Sequence, residues 1–87
     1  MSDAESMAIC AIRYTIGRRS YIVSEGQQWA REWGAKSKWV RDVIRRDLRE
    51  AVRCRDEGFP SLGTECDEVG WRAVLVDLDK LSLEAER

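Results

Sequence analysis

The segment Ser37–Glu57, SKWVRDVIRRDLREAVRCRDE, limits most strongly what this chain can fold into. Its apolar residues recur at i, i+1, i+4 and i+5 for about four turns, which is the pattern of one broad helical face. Ser37 precedes the pattern as an N-cap, and Gly58 with Pro60 ends it. The segment predicts a long amphipathic helix whose apolar side needs a core to cover it. That side comprises Trp39, Val40, Val43, Ile44, Leu48, Ala51 and Val52.

The opposite side of this helix is rich in arginine. Arg41, Arg45, Arg49 and Arg53 are each four residues apart, so the row winds by about 40° per step around the helix axis. Acidic residues three or four positions away interrupt the row and offer internal ion pairs. Three hypotheses follow: a solvated, salt-bridged face, a patch for an acidic protein surface, and a patch for nucleic-acid phosphates.

Three further segments have helical patterns, and short connections join all four. We expect helices at about 5–16, 21–33, 38–57 and 68–81, and therefore an all-α, compact four-helix domain. An α+β alternative with a hairpin at 9–23 stays open, because part of that stretch also alternates with the period of a strand. The 87 residues form one domain, 1–87, with loose termini at 1–4 and 82–87.

Glycines and tryptophans organise the first half of the chain. Gly17 is expected just past the end of the first helix, and Gly34 is expected to close the second. Tryptophans 29, 33 and 39 are expected to cluster near Gly34, either as core anchors or, with an indole edge exposed, as a partner-binding patch. The expected core is Ile12, Ile16, Trp29, Trp33, Val40, Val43, Ile44, Leu48, Val52, Leu75 and Leu78.

The net charge of −1 conceals a strong asymmetry along the chain. Residues 13–55 contain twelve Lys/Arg and five Asp/Glu, a net charge of +7. Residues 56–87 contain three basic and nine acidic residues, a net charge of −6, and residues 1–12 add −2. The acidic last third is one candidate partner for the basic helix, and an external acidic or phosphate-rich surface is the other.

Catalytic chemistry has few candidates in this sequence. There is no histidine, which removes the commonest general base, and no glycine-rich phosphate loop. Cys10, Cys54 and Cys66 form no CxxC pair, so we expect reduced thiols and neither a metal nor a cofactor. We expect no enzyme; the residual enzymatic hypothesis uses carboxylates, or Cys66 near a helix N-terminus, where a thiol pKa can fall.

The stretch Arg13–Tyr21 forms a second candidate site. Its arginines and tyrosines, around the turn at Gly17, could grip carboxylates or phosphates. Alternatively, Arg18 and Arg19 cap a helix C-terminus and the tyrosines pack at the surface. The pattern R-Y-x-I-G-R-x-S-Y is similar to one in small, mostly uncharacterised phage and prophage proteins, and a looser likeness extends to Cys66-Asp67-x-x-x-Trp71. The loop 58–66 departs from that likeness.

This resemblance implies a phage or prophage origin and action in the cytoplasm of a bacterial host. By analogy of class, small phage proteins without catalytic residues often inhibit host defence complexes stoichiometrically, as anti-CRISPR proteins do. We therefore expect a protein-binding module with a bacterial host protein or complex as partner. The alternative is a nucleic-acid-binding accessory protein using residues 13–55. The expected contacts are Arg13, Tyr14, Arg18, Arg19, Tyr21, Arg41, Arg45, Arg49 and Arg53.

Two other expectations concern partners. No apolar run approaches the ~18 residues that a membrane span needs, and the N-terminus lacks the basic region of a signal peptide, so no membrane partner is expected. A homodimer is also open, in the form of a symmetric pair that buries tryptophans.

Overall fold

Four α-helices make up most of the computed structural model, which describes residues 2–18 and 22–86. They are α1 (Asp3–Thr15), α2 (Ile22–Lys36), α3 (Lys38–Asp56) and α4 (Glu65–Ala85). The expectation of an all-α, four-helix architecture is confirmed. The helix bounds differ from the sequence pattern by one residue for α3 and by up to four residues at the ends of the others.

Helix α1 occupies the first part of the stretch 9–23 for which the sequence left a hairpin as an alternative, so the described residues of this stretch are helical up to Thr15. A capping box begins it, in which the Ser2 hydroxyl accepts from the Glu5 backbone N–H and the Glu5 carboxylate accepts from the Ser2 backbone N–H. The helix buries Ile9, Ile12 and Thr15 on one face. Gly17 follows its end with a φ of 78°, as expected of a residue in the left-handed region. The capping box explains why α1 begins earlier than the apolar pattern does.

Helix α3 begins where its sequence predicts and ends one residue earlier than expected, at Asp56. The Ser37 hydroxyl accepts from the Val40 backbone N–H at 3.2 Å, which satisfies one free donor of the first turn. Val40, Ile44 and Leu48 are fully buried on the inward face. Ser37 alone connects α2 to α3, so these two helices pack against each other as sequence neighbours.

Helix α4 begins at Glu65 because Thr64 and Asp67 form a second capping box. The Thr64 hydroxyl accepts from the Asp67 backbone N–H, and the Asp67 carboxylate accepts from the Thr64 backbone N–H. The inward face of α4 buries Trp71, Val74 and Leu78 completely. Trp71 is the largest fully buried side chain, and its indole Nε1–H has no hydrogen-bond partner in the described part of the chain.

The packing places α2 and α3 in the centre, with α1 and α4 on opposite sides of them. Both outer helices pack against α2 and α3, whereas in the described part of the chain no Cα atom of α1 lies within 8 Å of a Cα atom of α4. The Cα atoms extend 34 × 27 × 16 Å, so the molecule is flat and two helices thick. Every residue of the expected core is fully or partly buried in one apolar cluster.

Two glycines in α2 allow the close approach of neighbouring helices. A Cβ at Gly26 would lie 1.9 Å from the Thr15 hydroxyl oxygen of α1. A Cβ at Gly34 would lie 2.4 Å from a Leu78 methyl carbon of α4. The expectation that Gly34 closes α2 is therefore wrong: the helix continues to Lys36, and the missing side chain makes room for α4.

Candidate protein-binding site

An apolar groove of about 400 Å³ runs between the outer surfaces of α1 and α2. Helix α1 contributes one wall of small side chains with a single methionine, and helix α2 contributes two indoles. Apolar grooves open to solvent are characteristic of binding surfaces on small proteins. The groove is lined by Ala4, Met7, Ala8, Ala11, Trp29 and Trp33.

Helical spacing explains how the sequence builds this groove. Ala4, Ala8 and Ala11 follow one another at intervals of four and three residues, so they form a low wall along α1. Trp29 and Trp33 are four residues apart and face the same way, as the sequence predicts. Because the alanine side chains are short, the indole faces of these half-buried tryptophans stay uncovered on the groove side.

The exposed residues at the groove combine a flexible anchor with rigid rings. Met7 is 71% exposed although it is among the more apolar side chains of the molecule. Trp29 and Trp33 also pack against the core, which holds their rings in place. A polarisable, adaptable methionine beside fixed indoles is a combination found at protein-binding surfaces.

Charged residues flank the tryptophans on the solvent side of α2. Glu25 and Glu32 lie four residues before and three residues after Trp29, so they share its side of the helix, and both are exposed. The Lys36 ammonium lies 4.6 Å from the centre of the Trp33 ring as a cation–π contact. Asp3, in the first turn of α1, adds another exposed carboxylate. The flanking charge is therefore predominantly negative.

The arginine row of α3 is engaged by acidic residues of the same chain. Arg45 Nε and Arg49 Nη2 both donate to one oxygen of Asp79 in α4, at 2.8 and 2.9 Å. Arg53 pairs with Glu50 on its own helix and with Glu57, the residue that follows the end of α3. The acidic last third of the chain therefore satisfies much of the basic helix, as one of the two charge hypotheses expects.

Arg41 departs from the outward position that the four-residue spacing gave it. The residue is only 7% exposed. Its Nη1 donates to the backbone carbonyl of Gly34 at 2.8 Å, and its Nε donates to the Ser82 hydroxyl at 3.2 Å. The 40° drift of the row places this first member at the inner edge of α3, where the guanidinium binds the C-terminal turn of α2. The expectation of an outward contact at Arg41 is corrected to a structural one.

Shifted carboxyl pKa values mark the ion pairs of the surface. Arg53 lowers the pKa of Glu50, and Arg72, followed by Arg55, lowers the pKa of Glu68. The hydrogen bond from Lys38 lowers the pKa of Asp42. Each of these carboxyl groups is stabilised in its charged form by a basic neighbour. The shifts thus have local structural causes.

At the Arg13–Tyr21 stretch, both described arginines have partners within the same chain. Arg13 forms an ion pair with Asp47 of α3. The Arg18 guanidinium lies 4.5 Å from the centre of the Tyr14 ring, and its Nε donates to the Tyr14 backbone carbonyl at 3.0 Å. Arg18 thereby binds the C-terminal turn of α1, while Tyr14 is 57% exposed. Arg19 and Tyr21 lie outside the described residues.

The tryptophans do not form the single cluster expected near Gly34. Trp39 lines a separate groove between α1 and α3, together with Cys10 and Arg46 among others, and α1 separates it from Trp29 and Trp33. The sequence therefore predicted that Trp29 and Trp33 share a face but not the groove they line. The groove could have been predicted from the row of Ala4, Ala8 and Ala11 on one side of α1 with Met7 beside it.

The three cysteines form no disulfide. Cys10 and Cys66 are exposed, Cys54 is half-buried, and all three are free. In residues 2–18 and 22–86, no group of three or more Cys, Asp or Glu side chains is arranged to hold a metal ion.

Comparison with protein-family models, with curated proteins and with solved structures finds no significant match to the chain. None of the described helices is both long and apolar enough to cross a membrane.

Proposed function

We propose that this chain is a non-enzymatic protein-binding module whose α1–α2 groove receives the apolar side of a partner's helix. The observation that carries the proposal is the open groove in which the highly exposed Met7 lies beside Trp29 and Trp33. Tryptophan is among the residues that contribute most binding energy at protein interfaces. Burying these side chains under a partner removes apolar surface from water at about 25 cal/mol per Å².

The shape of the groove selects the occupant. Its α1 wall runs from Ala4 to Ala11, which at the helical rise corresponds to about 10 Å, or two turns. Such a length accommodates two or three apolar side chains spaced i, i+4 and i+7 on a partner helix. The carboxylates of Asp3, Glu25 and Glu32 favour a partner with basic residues beside that apolar row.

The class of partner is a further part of this proposal. The likeness of the Arg13–Tyr21 stretch to phage and prophage proteins supports a bacterial host protein, with inhibition of a defence complex as the outcome of binding. The competing function is nucleic-acid binding through residues 13–55. The ion pairs of Arg45, Arg49 and Arg53 reduce the positive charge that phosphates would find there.

A pair of synthetic peptides tests the groove directly. Both are alanine-based helices with leucines at i, i+4 and i+7; one carries lysines beside the leucines and the other carries glutamates. We expect the lysine peptide to change the emission of the groove tryptophans and to bind at least about tenfold more tightly than the glutamate peptide. No binding of the lysine peptide up to about 1 mM would refute the groove as a helix site.

Matched variants locate the binding. Met7→Glu changes an exposed position, so the fold should persist. It replaces the apolar side chain that meets the leucines with a carboxylate that they would have to desolvate, and this cost outweighs the attraction of the carboxylate for lysine, so the affinity for the lysine peptide should fall at least about tenfold. Phe59→Glu is the control, because Phe59 is an exposed apolar residue in the loop between α3 and α4. Binding that survives Met7→Glu, or that Phe59→Glu removes equally, would place the peptide elsewhere.

The same variants decide between host protein and nucleic acid. A host protein that binds through the groove is retained by the wild type and by Phe59→Glu but lost with Met7→Glu. A DNA-binding function predicts instead an affinity that falls steeply with salt and that depends on Arg46, the most exposed arginine of α3 with 72% side-chain exposure. Nucleic-acid binding would be favoured if Arg46→Glu weakens the binding of a DNA duplex as much as Met7→Glu weakens the binding of the lysine peptide.

A further inference from the structure

Helix α4 carries a second, mostly apolar face that points away from the bundle and is interrupted by Lys80. Its six members are all exposed and follow one another at intervals of three, four, three, four and three residues. This is the spacing of a helix-pairing seam, held through most of α4. We call these residues the outer face of α4: Cys66, Val69, Ala73, Val76, Lys80 and Leu83.

The apolar side chains of this face are more exposed to solvent than is usual for valine and leucine. Val69 is 70% exposed, Val76 is 53% exposed and Leu83 is 64% exposed. The inward face, centred on Trp71, Val74 and Leu78, lies on the opposite side of the same helix. A helix that is apolar on two opposite sides is typical of one covered on both. Helices α2 and α3 cover the inward side, and α1 is on the far side of the molecule.

We propose that the outer face of α4 binds the same face of a second copy of this chain, with the two α4 helices antiparallel. The register that aligns the seam has its two-fold axis between Val74 and Leu75, at the middle of α4. Cys66 then faces the partner's Leu83, and Ala73 faces the partner's Val76. All six members of the face find a counterpart, so both helices are used along their length.

Charge selects the antiparallel arrangement. A parallel pair would bring Lys80 against the partner's Lys80 and Asp79 against the partner's Glu84. In the antiparallel register, Lys80 faces the partner's Val69 and can pack its aliphatic stem while its ammonium reaches water. Arg72 then lies beside the partner's Asp79, once on each side of the two-fold axis.

Both members of that contact retain bonding capacity. Arg72 donates from Nε to Glu68 and from Nη2 to Asp56, and Nη1 takes part in no hydrogen bond among the described residues. Asp79 accepts from Arg45 and Arg49 through Oδ1, and among the described residues Oδ2 accepts no hydrogen bond, so Oδ2 can accept from the partner's Arg72. The intermolecular contact thus extends the ion pairs of each copy without breaking them.

Disulfide trapping tests the register. In a variant with Cys10→Ser, Cys54→Ser and Leu83→Cys, the antiparallel pair brings Cys66 next to the partner's residue 83 at both ends. We expect oxidation by copper–phenanthroline in air to give a covalent dimer. The two cysteines are about 25 Å apart within one helix and cannot join intramolecularly. The same variant without Leu83→Cys should stay monomeric on gels; efficient linkage through Cys66 alone would overturn the antiparallel register.

Sedimentation of the unmodified chain tests the association itself. We expect a dimer that forms reversibly between about 1 µM and about 1 mM. Val76→Glu should weaken it at least about tenfold, and Lys80→Leu should strengthen it at least about tenfold. Met7→Glu should leave it unchanged, which separates this inference from the groove. A monomer throughout that range, or a dimer insensitive to Val76→Glu, would refute the proposal.

Discussion

Arg41 is a buried cation whose described partners are a hydroxyl and a backbone carbonyl. In the described part of the chain it forms no ion pair, and its two hydrogen bonds go to Ser82 and to Gly34. The carbonyl of Gly34 lies in the C-terminal turn of α2, where the helix dipole and free carbonyl groups favour positive charge. One side chain of α3 therefore holds together the C-terminal ends of α2 and α4.

A substitution at Arg41 should reveal this structural role. We expect Arg41→Ala to lower the free energy of unfolding by about 2 kcal/mol, because it removes two hydrogen bonds and the packing of the aliphatic stem. Arg46→Ala is the matched control on the same helix and should change stability by less than about 0.5 kcal/mol. Urea denaturation measures both. Equal losses would show that the burial of Arg41 contributes little.

The arginines illustrate what residue spacing can and cannot predict. Spacing of three or four residues correctly identified acids within reach on the same helix, as in the pairing of Arg53 with Glu50. It could not predict that Asp79, thirty residues further along, accepts from both Arg45 and Arg49, since that contact depends on how α4 crosses α3. The spacing also misplaced Arg41, because it does not show where the winding row reaches the inner edge of α3.

At the scale of elements, the first turn of α1 is joined to the start of α3. The Ser37 hydroxyl caps α3 and also donates to the Glu5 carboxylate. Mainly this hydrogen bond, with smaller contributions from Ser2, lowers the pKa of Glu5 from its ordinary value of 4.5. A carboxyl group whose pKa is lower in the folded state stabilises the fold above its unfolded pKa. That contribution is lost as the pH falls through the folded value.

Glu5→Gln isolates this contribution, because the other acids with lowered pKa values remain in both proteins. We expect the variant to be less stable than the wild type at about pH 7, with the difference shrinking as the pH falls below about 4.5 towards about 2.5. Thermal or urea unfolding across this range measures the difference. A difference that stays constant with pH would mean that the ionisation of Glu5 is not coupled to folding.

The ends of the helices and the faces they expose were predicted from the sequence with unequal success. Helix α3 was predicted within a residue because one apolar face, a serine cap and a Gly–Pro stop all agree. Helix α4 was predicted too short, because Thr64 and Asp67 start it before the first inward residue, Trp71. Its outer face was missed because the inward periodicity already accounted for the segment, and only tertiary packing shows which side stays uncovered.

At the scale of the whole molecule, ion pairs join the basic middle of the chain to its acidic end. Arg31 of α2 pairs with Asp77 of α4, and Arg55 of α3 pairs with Glu68 of α4. These pairs, with those to Asp79, hold the fourth helix against the central two. The basic and acidic parts of the chain therefore pair largely with each other within the fold. The apolar groove and the outer face of α4 are the surfaces that remain as candidates for binding partners.

The separation of α1 from α4 has a consequence for avidity if both proposals hold. A dimer joined through α4 would carry its two α1–α2 grooves on opposite outer sides, each free to bind. A ligand with two lysine-type helices on a linker long enough to reach both would then bind the second groove at a high effective concentration. We expect its affinity to fall at least about tenfold with Val76→Glu while the affinity of a single helix stays the same. Calorimetry with the single and the linked peptide measures this difference, and equal affinities for both would contradict it. Because α1 and α4 lie on opposite sides of each molecule, the dimer would thereby bind repeated or oligomeric targets bivalently.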